Sequence, residues 1–183
     1  MKKYSVKKLV LNSLMIALVF LATYFSRIPT PLPGGYFNLG DAVVMLAAVF
    51  LGPVAGMAAG AIGSCLADLA AAAFIFAPAT FVVKGLEGLV VGLLATMSFR
   101  KKASGQNVFS AGIIASVVTG AIFMVAGYFV AEAFLLGFFG EGFGLTAAIA
   151  ELQPNLIQGG LSAVLSYILI VLLGRMDIGK YIQ

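Results

Sequence analysis

At 183 residues the chain makes one domain, and with 62% hydrophobic and only 10% charged residues it has too little charge to build a water-facing surface. A soluble domain averages about 45–50% apolar and about a quarter charged, so the bilayer must be part of this protein's solvent. With no histidine and a single cysteine, Cys65, the commonest general base, the commonest metal ligand and an internal disulfide framework are all missing, which weakens most enzymatic readings.

A membrane span needs about 20 apolar residues, because the hydrocarbon is about 30 Å thick. MKKYSVKK opens the chain, and the apolar run 9–25 is as long as a span. It ends without a small-x-small cleavage pattern and reads as a retained first helix. Residues 27–40 (RIPTPLPGGYFNLG) break it with three alternating prolines and a Gly-Gly pair. Apolar sequence from 41 to 73 is interrupted at Gly52-Pro53, residues 78–99 form a clear span, and Arg100, Lys101 and Lys102 mark a polar turn. Residues 108–136 are long enough to tilt. Residues 154–174 form the last span, with Pro154 expected at its start.

Positive charge decides whether 41–73 is one helix or two. Two helices place Lys2, Lys3, Lys7, Lys8, Arg100, Lys101, Lys102, Arg175 and Lys180 on one side, nine of the eleven basic residues. The positive-inside rule makes that side cytoplasmic. The expected fold is an all-α polytopic membrane protein, one domain over 1–183, with six transmembrane helices and both termini cytoplasmic. The second helix, roughly 41–51, is short for a crossing unless protein or thinned lipid covers its ends.

In this topology the strongly polar side chains outside the cytoplasmic flanks gather in the outer half of the bundle, as a cup that opens outward. Asp68 lies about fifteen residues beyond Pro53, roughly 22 Å up. Lys84 and Glu87 lie roughly 9–13 Å below the outer end of the fourth helix. Tyr128 and Glu132 approach the outer end of the fifth, and Asn155 and Gln158 are expected in the first turn of the sixth. Charge inside a span is costly and usually faces a partner or a cavity. Lys84 and Glu87 either neutralise one another at i and i+3 or share in ligand binding. Asn155 and Gln158 either cap or join helices or serve a ligand; Asp41 and Asp68 are expected to be interfacial. Arg27 is expected to anchor the first helix at the headgroups. The proline-rich loop 29–40 suits a stiff lid, with Asn38 near its end. Tyr36, Phe37, Phe74, Phe76 and Tyr128 offer surfaces for a flat ring or form an ordinary interface belt.

Small residues recur at Gly52, Gly56, Gly60 and Ser64, at Gly88 and Gly92, and at Ser13 and Ala17. Such stripes permit close helix approach. In the third and fourth helices internal packing is the expected use; in the first helix an external partner is.

The order of these features resembles the substrate-binding S components of energy-coupling factor (ECF) vitamin transporters. It rests on the length, the six spans, the KK-containing N-terminus and the short second helix. The segments PTPLPGGYFNLGD (29–41), LGPVAGMAAGAIG (51–63), KGLEG (84–88) and PNLIQGG (154–160) add to it. The resemblance implies a vitamin binder of the plasma membrane without catalytic activity, cofactor, metal or nucleic-acid partner. Its site would use Tyr36, Asn38, Lys84, Glu87, Tyr128, Glu132, Asn155 and Gln158. It would work with a transmembrane T subunit, contacted by Ser13, Ala17 and Ala22, and two ABC-type ATPases; Ser13 departs from the family's usual Ala-xxx-Ala pattern. The chain has no nucleotide-binding motif of its own. By resemblance the vitamin is pyridoxine or hydroxymethylpyrimidine, then pantothenate or riboflavin. An intramembrane enzyme or a stand-alone carrier are the competing classes. The first lacks histidine, and the second usually shows inverted repeats not seen here.

Overall fold

The computed structural model describes residues 6–30, 32, 35–103 and 109–175, and for 100–103, 109–110 and 175 the backbone alone. The stiffening expected of Pro31, Pro33 and Gly34 lies outside the described residues, as do Lys2, Lys3, Lys180 and the side chains of Arg100, Lys101, Lys102 and Arg175. Among the described residues six helices succeed one another. They are α1 (Val6–Phe25), α2 (Gly40–Leu51), α3 (Pro53–Ala70), α4 (Ala77–Ala103), α5 (Phe109–Val130) and α6 (Leu145–Arg175). A π-helical turn, Ala59–Ser64, sits inside α3, and a second, Ala131–Leu135, extends α5 into a short 3-10 turn. Between α1 and α2 the chain makes a two-residue antiparallel ladder of β1 (Ile28–Pro29) with β2 (Tyr36–Phe37).

Five of the helices are long and apolar enough to cross a membrane. The twelve residues of α2 reach only about 18 Å, short of the about 30 Å of hydrocarbon. Eight of those twelve residues are buried, and α2 packs against α1, α3, α4 and α6. Protein covers what lipid would otherwise have to accommodate. The break after α2 is Gly52, whose φ of 92° is readily open only to glycine; Pro53 then starts α3 without needing a backbone donor.

The last helix departs from the sequence expectation. It starts at Leu145, nine residues before the expected proline, so Pro154 lies inside α6 and Asn155 and Gln158 lie well beyond its first turn. The alanine-rich run LTAAIAEL carries high helix propensity, and the proline, which removes one helical hydrogen bond, does not stop it.

The α3 and α4 stripes are a packing seam, as expected. A methyl group on Gly88 would lie 2.3 Å from the Gly56 carbonyl oxygen, one on Gly60 2.2 Å from the Lys84 carbonyl oxygen, and one on Gly92 2.4 Å from Pro53 Cα. The obstacle in each case is backbone, which cannot turn aside like a side chain. Gly88→Ala is expected to cost about 1–3 kcal/mol by overpacking, read as a lower melting temperature in detergent. Gly160→Ala, with nothing within 4 Å of the added carbon, is expected to melt like the parent chain. Equal melting of the two variants would refute the seam.

Candidate functional site

At the bundle end where the 26–39 loop meets the 71–76 and 139–144 segments, Leu32 is buried with Ala73, Phe76, Ala131 and Leu136. Its backbone N–H donates to Glu151 Oε1 at 3.0 Å. Leu32 thus fastens the loop to α6 through its backbone and plugs it into the bundle through its side chain.

Beneath it lies a cavity of about 40 Å³ lined by residues of α1, the first loop, α3, α4, α5 and α6. That space suits a few water molecules. Tyr36, Asn38, Lys84, Tyr128, Glu132, Asn155 and Gln158 all line it, so seven of the eight side chains singled out from the sequence converge. Glu87 does not line it; it is fully buried behind Lys84, with a carboxylate oxygen 3.7 Å from the ammonium.

The ammonium of Lys84 donates instead to Asp41 Oδ1, and both groups are buried. Gln158 Nε2 donates to the other oxygen of Asp41 at 2.8 Å, while Gln158 Oε1 accepts the Asn38 backbone N–H at 2.8 Å. Asn38 Oδ1 accepts the Gly40 N–H, joining the first loop to the start of α2. Asp41 is therefore a buried hub and not the interfacial residue expected from the sequence. Asp68 is buried too, and the Tyr36 hydroxyl donates to its Oδ1. Burial, and the Asp68 carboxylate beside it, hold the Tyr36 phenol protonated far above its ordinary range.

Thr80 Oγ1 and the Tyr128 hydroxyl share a hydrogen bond of 2.8 Å, and the Lys84 ammonium stands 5.2 Å from the centre of the Tyr128 ring. Glu132, Glu151 and Asn155 neighbour one another. Phe76 lines the cavity, whereas Phe74 is exposed and Phe37 lies outside the lining. Just past the end of α1, Arg27 Nε donates to the Tyr24 carbonyl, and its guanidinium lies 4.1 Å from the Tyr24 ring centre and 5.6 Å from that of Tyr36.

Sequence reasoning did not single out Thr23, Ser64, Thr80 or Glu151 for the cavity. Ser64 and Glu132 lie in the two π-helical turns, a feature frequent at functional sites but without a reliable sequence signal. Glu151 was hidden by the misplaced start of α6. Ser13 and Ala17 are exposed on α1, and Ala22 is half-buried on another side of it. No cluster of metal-ligating side chains occurs among the described residues.

Replacing Lys84 by Met would leave Asp41 buried without its cation, so a loss of about 3–5 kcal/mol is expected. The measurement is thermal unfolding in detergent. The pair Lys84→Met with Asp41→Asn is expected to lose less than the single change. A double variant that is less stable than Lys84→Met would contradict the ion pair.

Residues 3–175 match the family model described as ECF-type riboflavin transporter, S component. A Pyrococcus woesei protein described as "uncharacterized protein in gap 3'region" is 38% identical over 140 residues, covering 76% of this chain and 83% of that one. A UPF0397 protein of Streptococcus pneumoniae (strain Hungary19A-6) is 34% identical over 91 residues, or 50% of this chain and about half of its own length (49%). Among solved structures, one reported as "Structure and mechanism of the S component of a bacterial ECF transporter" superimposes with a TM-score of 0.70 at 20% identity, covering 93% of this chain and 96% of that one. ThiT from Listeria monocytogenes superimposes with a TM-score of 0.66 at 17% identity, covering 92% and 93%. At these identities the two structures establish the shared fold.

Proposed function

Since this chain belongs to the ECF-type riboflavin transporter S component family, we propose that it captures a small water-soluble vitamin or precursor in the cavity beneath the first loop. It is a multi-pass membrane protein and a substrate-binding subunit of an ECF transporter, a transport component and not an enzyme. In general such subunits work with a transmembrane T subunit and ATPases. For this chain we take the partners to be one T subunit, docked on the α1 face that bears Ser13 and Ala17, and two ABC-type ATPases.

The convergence of seven polar or aromatic side chains under a fastened loop carries the binding reading. The cavity is much smaller than any vitamin, so loading requires the loop to lift and Leu32 to leave its socket. By the positive-inside rule the loop end faces outward, and the vitamin enters from outside. A compact heterocycle such as pyridoxine or hydroxymethylpyrimidine is the preferred ligand, with Asn155 offering hydrogen bonds, Asn38 and Gln158 holding the wall beside it, and Tyr36, Phe76 and Tyr128 offering ring faces. Riboflavin is the second reading, favoured by the family's own description.

The purified full chain is expected to bind its vitamin at submicromolar concentration without partners, measured by calorimetry, with mass spectrometry of co-purified molecules naming the ligand. ATP-driven uptake is expected only when T subunit and ATPases are present. Asn155 lines the cavity without supporting the Asp41–Lys84 pair, so Asn155→Ala is expected to weaken binding at least tenfold, about 1.4 kcal/mol. Parent-like affinity would remove Asn155 from the site, and transport by the chain alone in ATP-free liposomes would sink the reading.

A further inference from the structure

The cavity's hydrogen-bonding capacity is lopsided. Three of its donor groups already meet a carboxylate: the Lys84 ammonium and a Gln158 amide N–H meet Asp41, and the Tyr36 hydroxyl meets Asp68. Two of its carboxylate oxygens meet no donor. Asp68 Oδ2 and Glu132 Oε2, both on side chains more than nine-tenths buried, line the cavity without a hydrogen-bond partner. The Thr23 and Ser64 hydroxyls of the lining, which can donate or accept, are also buried and unpartnered. Glu151 adds a third carboxylate to the wall, with one oxygen taken by Leu32. Lys84 is the sole cation among the described lining residues, and two carboxylates, Asp41 and Glu87, already face it.

A buried acceptor left without a donor costs about 1–3 kcal/mol, more when charged. A ligand that brings donors to these atoms removes the penalty, whereas a ligand carboxylate brings only further acceptors to them. Resting on the vitamin-binding reading above, we propose that Asp68 and Glu132 are the specificity-determining anchors of this site. They select a heterocycle bearing amino, ammonium or multiple hydroxyl donors, and exclude vitamins recognised through a carboxylate. Asp68 in α3 and Glu132 in the π-helical extension of α5 hold the ligand from two sides, so the donors must lie on separate parts of the ring. Pantothenate, biotin and nicotinate fall outside this class; aminopyrimidines and pyridoxamine fall inside it.

The test measures affinities of the purified full chain for hydroxymethylpyrimidine, pyridoxamine, pyridoxine, riboflavin, pantothenate, biotin, nicotinate and 4-pyridoxate. At least one donor-bearing compound is expected to bind at least a hundredfold more tightly than every carboxylate. Submicromolar binding of pantothenate, biotin, nicotinate or 4-pyridoxate would overturn the inference and leave the vitamin-binding reading standing. Failure of all eight to bind would overturn both. For the tightest ligand, Asp68→Asn and Glu132→Gln, which keep side-chain shape, are each expected to weaken binding at least tenfold, with Glu141→Gln on the exposed surface as the unchanged control. An analogue lacking the contacted donor should bind parent and variant alike. Unchanged affinity in both variants, with folding confirmed by melting, would refute the anchor role even if the ligand ranking held.

Discussion

A lysine ammonium enclosed in a lipid-embedded bundle must have an anionic partner, and the Lys84–Asp41 contact meets that demand across α4 and α2. Much else in the site leans on it. Gln158 brings α6 to the second oxygen of Asp41 and holds the Asn38 backbone, so three helices and the first loop share one hydrogen-bonded centre. Such a network is demanding, because each member is dear to bury alone and useful only when the others are in place. It also accounts for the short α2: a twelve-residue helix stays inside the bundle because its first turn carries Asp41 and its flanks are covered by four neighbours.

The cavity walls are built from helices that are irregular at the level of the site. Ser64 and Glu132 occupy π-helical turns, and Asn155 comes directly after the proline inside α6. A π turn inserts an extra residue and rotates the remainder of the helix about its axis, which re-aims a polar side chain inward without moving the helix ends. Polar groups thus point at a shared volume while the outer surfaces stay apolar, as the exposed Leu, Ile, Val and Phe of the long helices attest.

The sequence made the membrane class, the helix order and most of the polar cup legible, because apolar length and charge asymmetry are one-dimensional quantities. The break at Gly52-Pro53 was legible for the same reason, glycine and proline having distinctive backbone preferences. Pro154 misled. Proline is compatible with a helix start and with a helix interior when flanking residues sustain the coil, and nothing local to it decides between them. Asp41 and Lys84 lie 43 residues apart, so their pairing depends on how α2 and α4 cross, whereas the nearer Glu87 offered a partner that needed no tertiary knowledge. Spacing along one helix proposed Lys84 with Glu87, and that pair stands at 3.7 Å; packing between helices adds Asp41 as the hydrogen-bonded partner.

The glycine seam of α3 and α4 reaches further than packing. At Gly60 the neighbouring backbone is that of Lys84 itself, so the separation of the two helices sets where the ammonium stands and how it meets Asp41. A genetic screen for transport defects would therefore return bulky replacements at Gly56, Gly60 and Gly88, residues with no side chain to offer any solute. The place of the cavity's charged centre is thus set in part at positions whose own side chain is a single hydrogen.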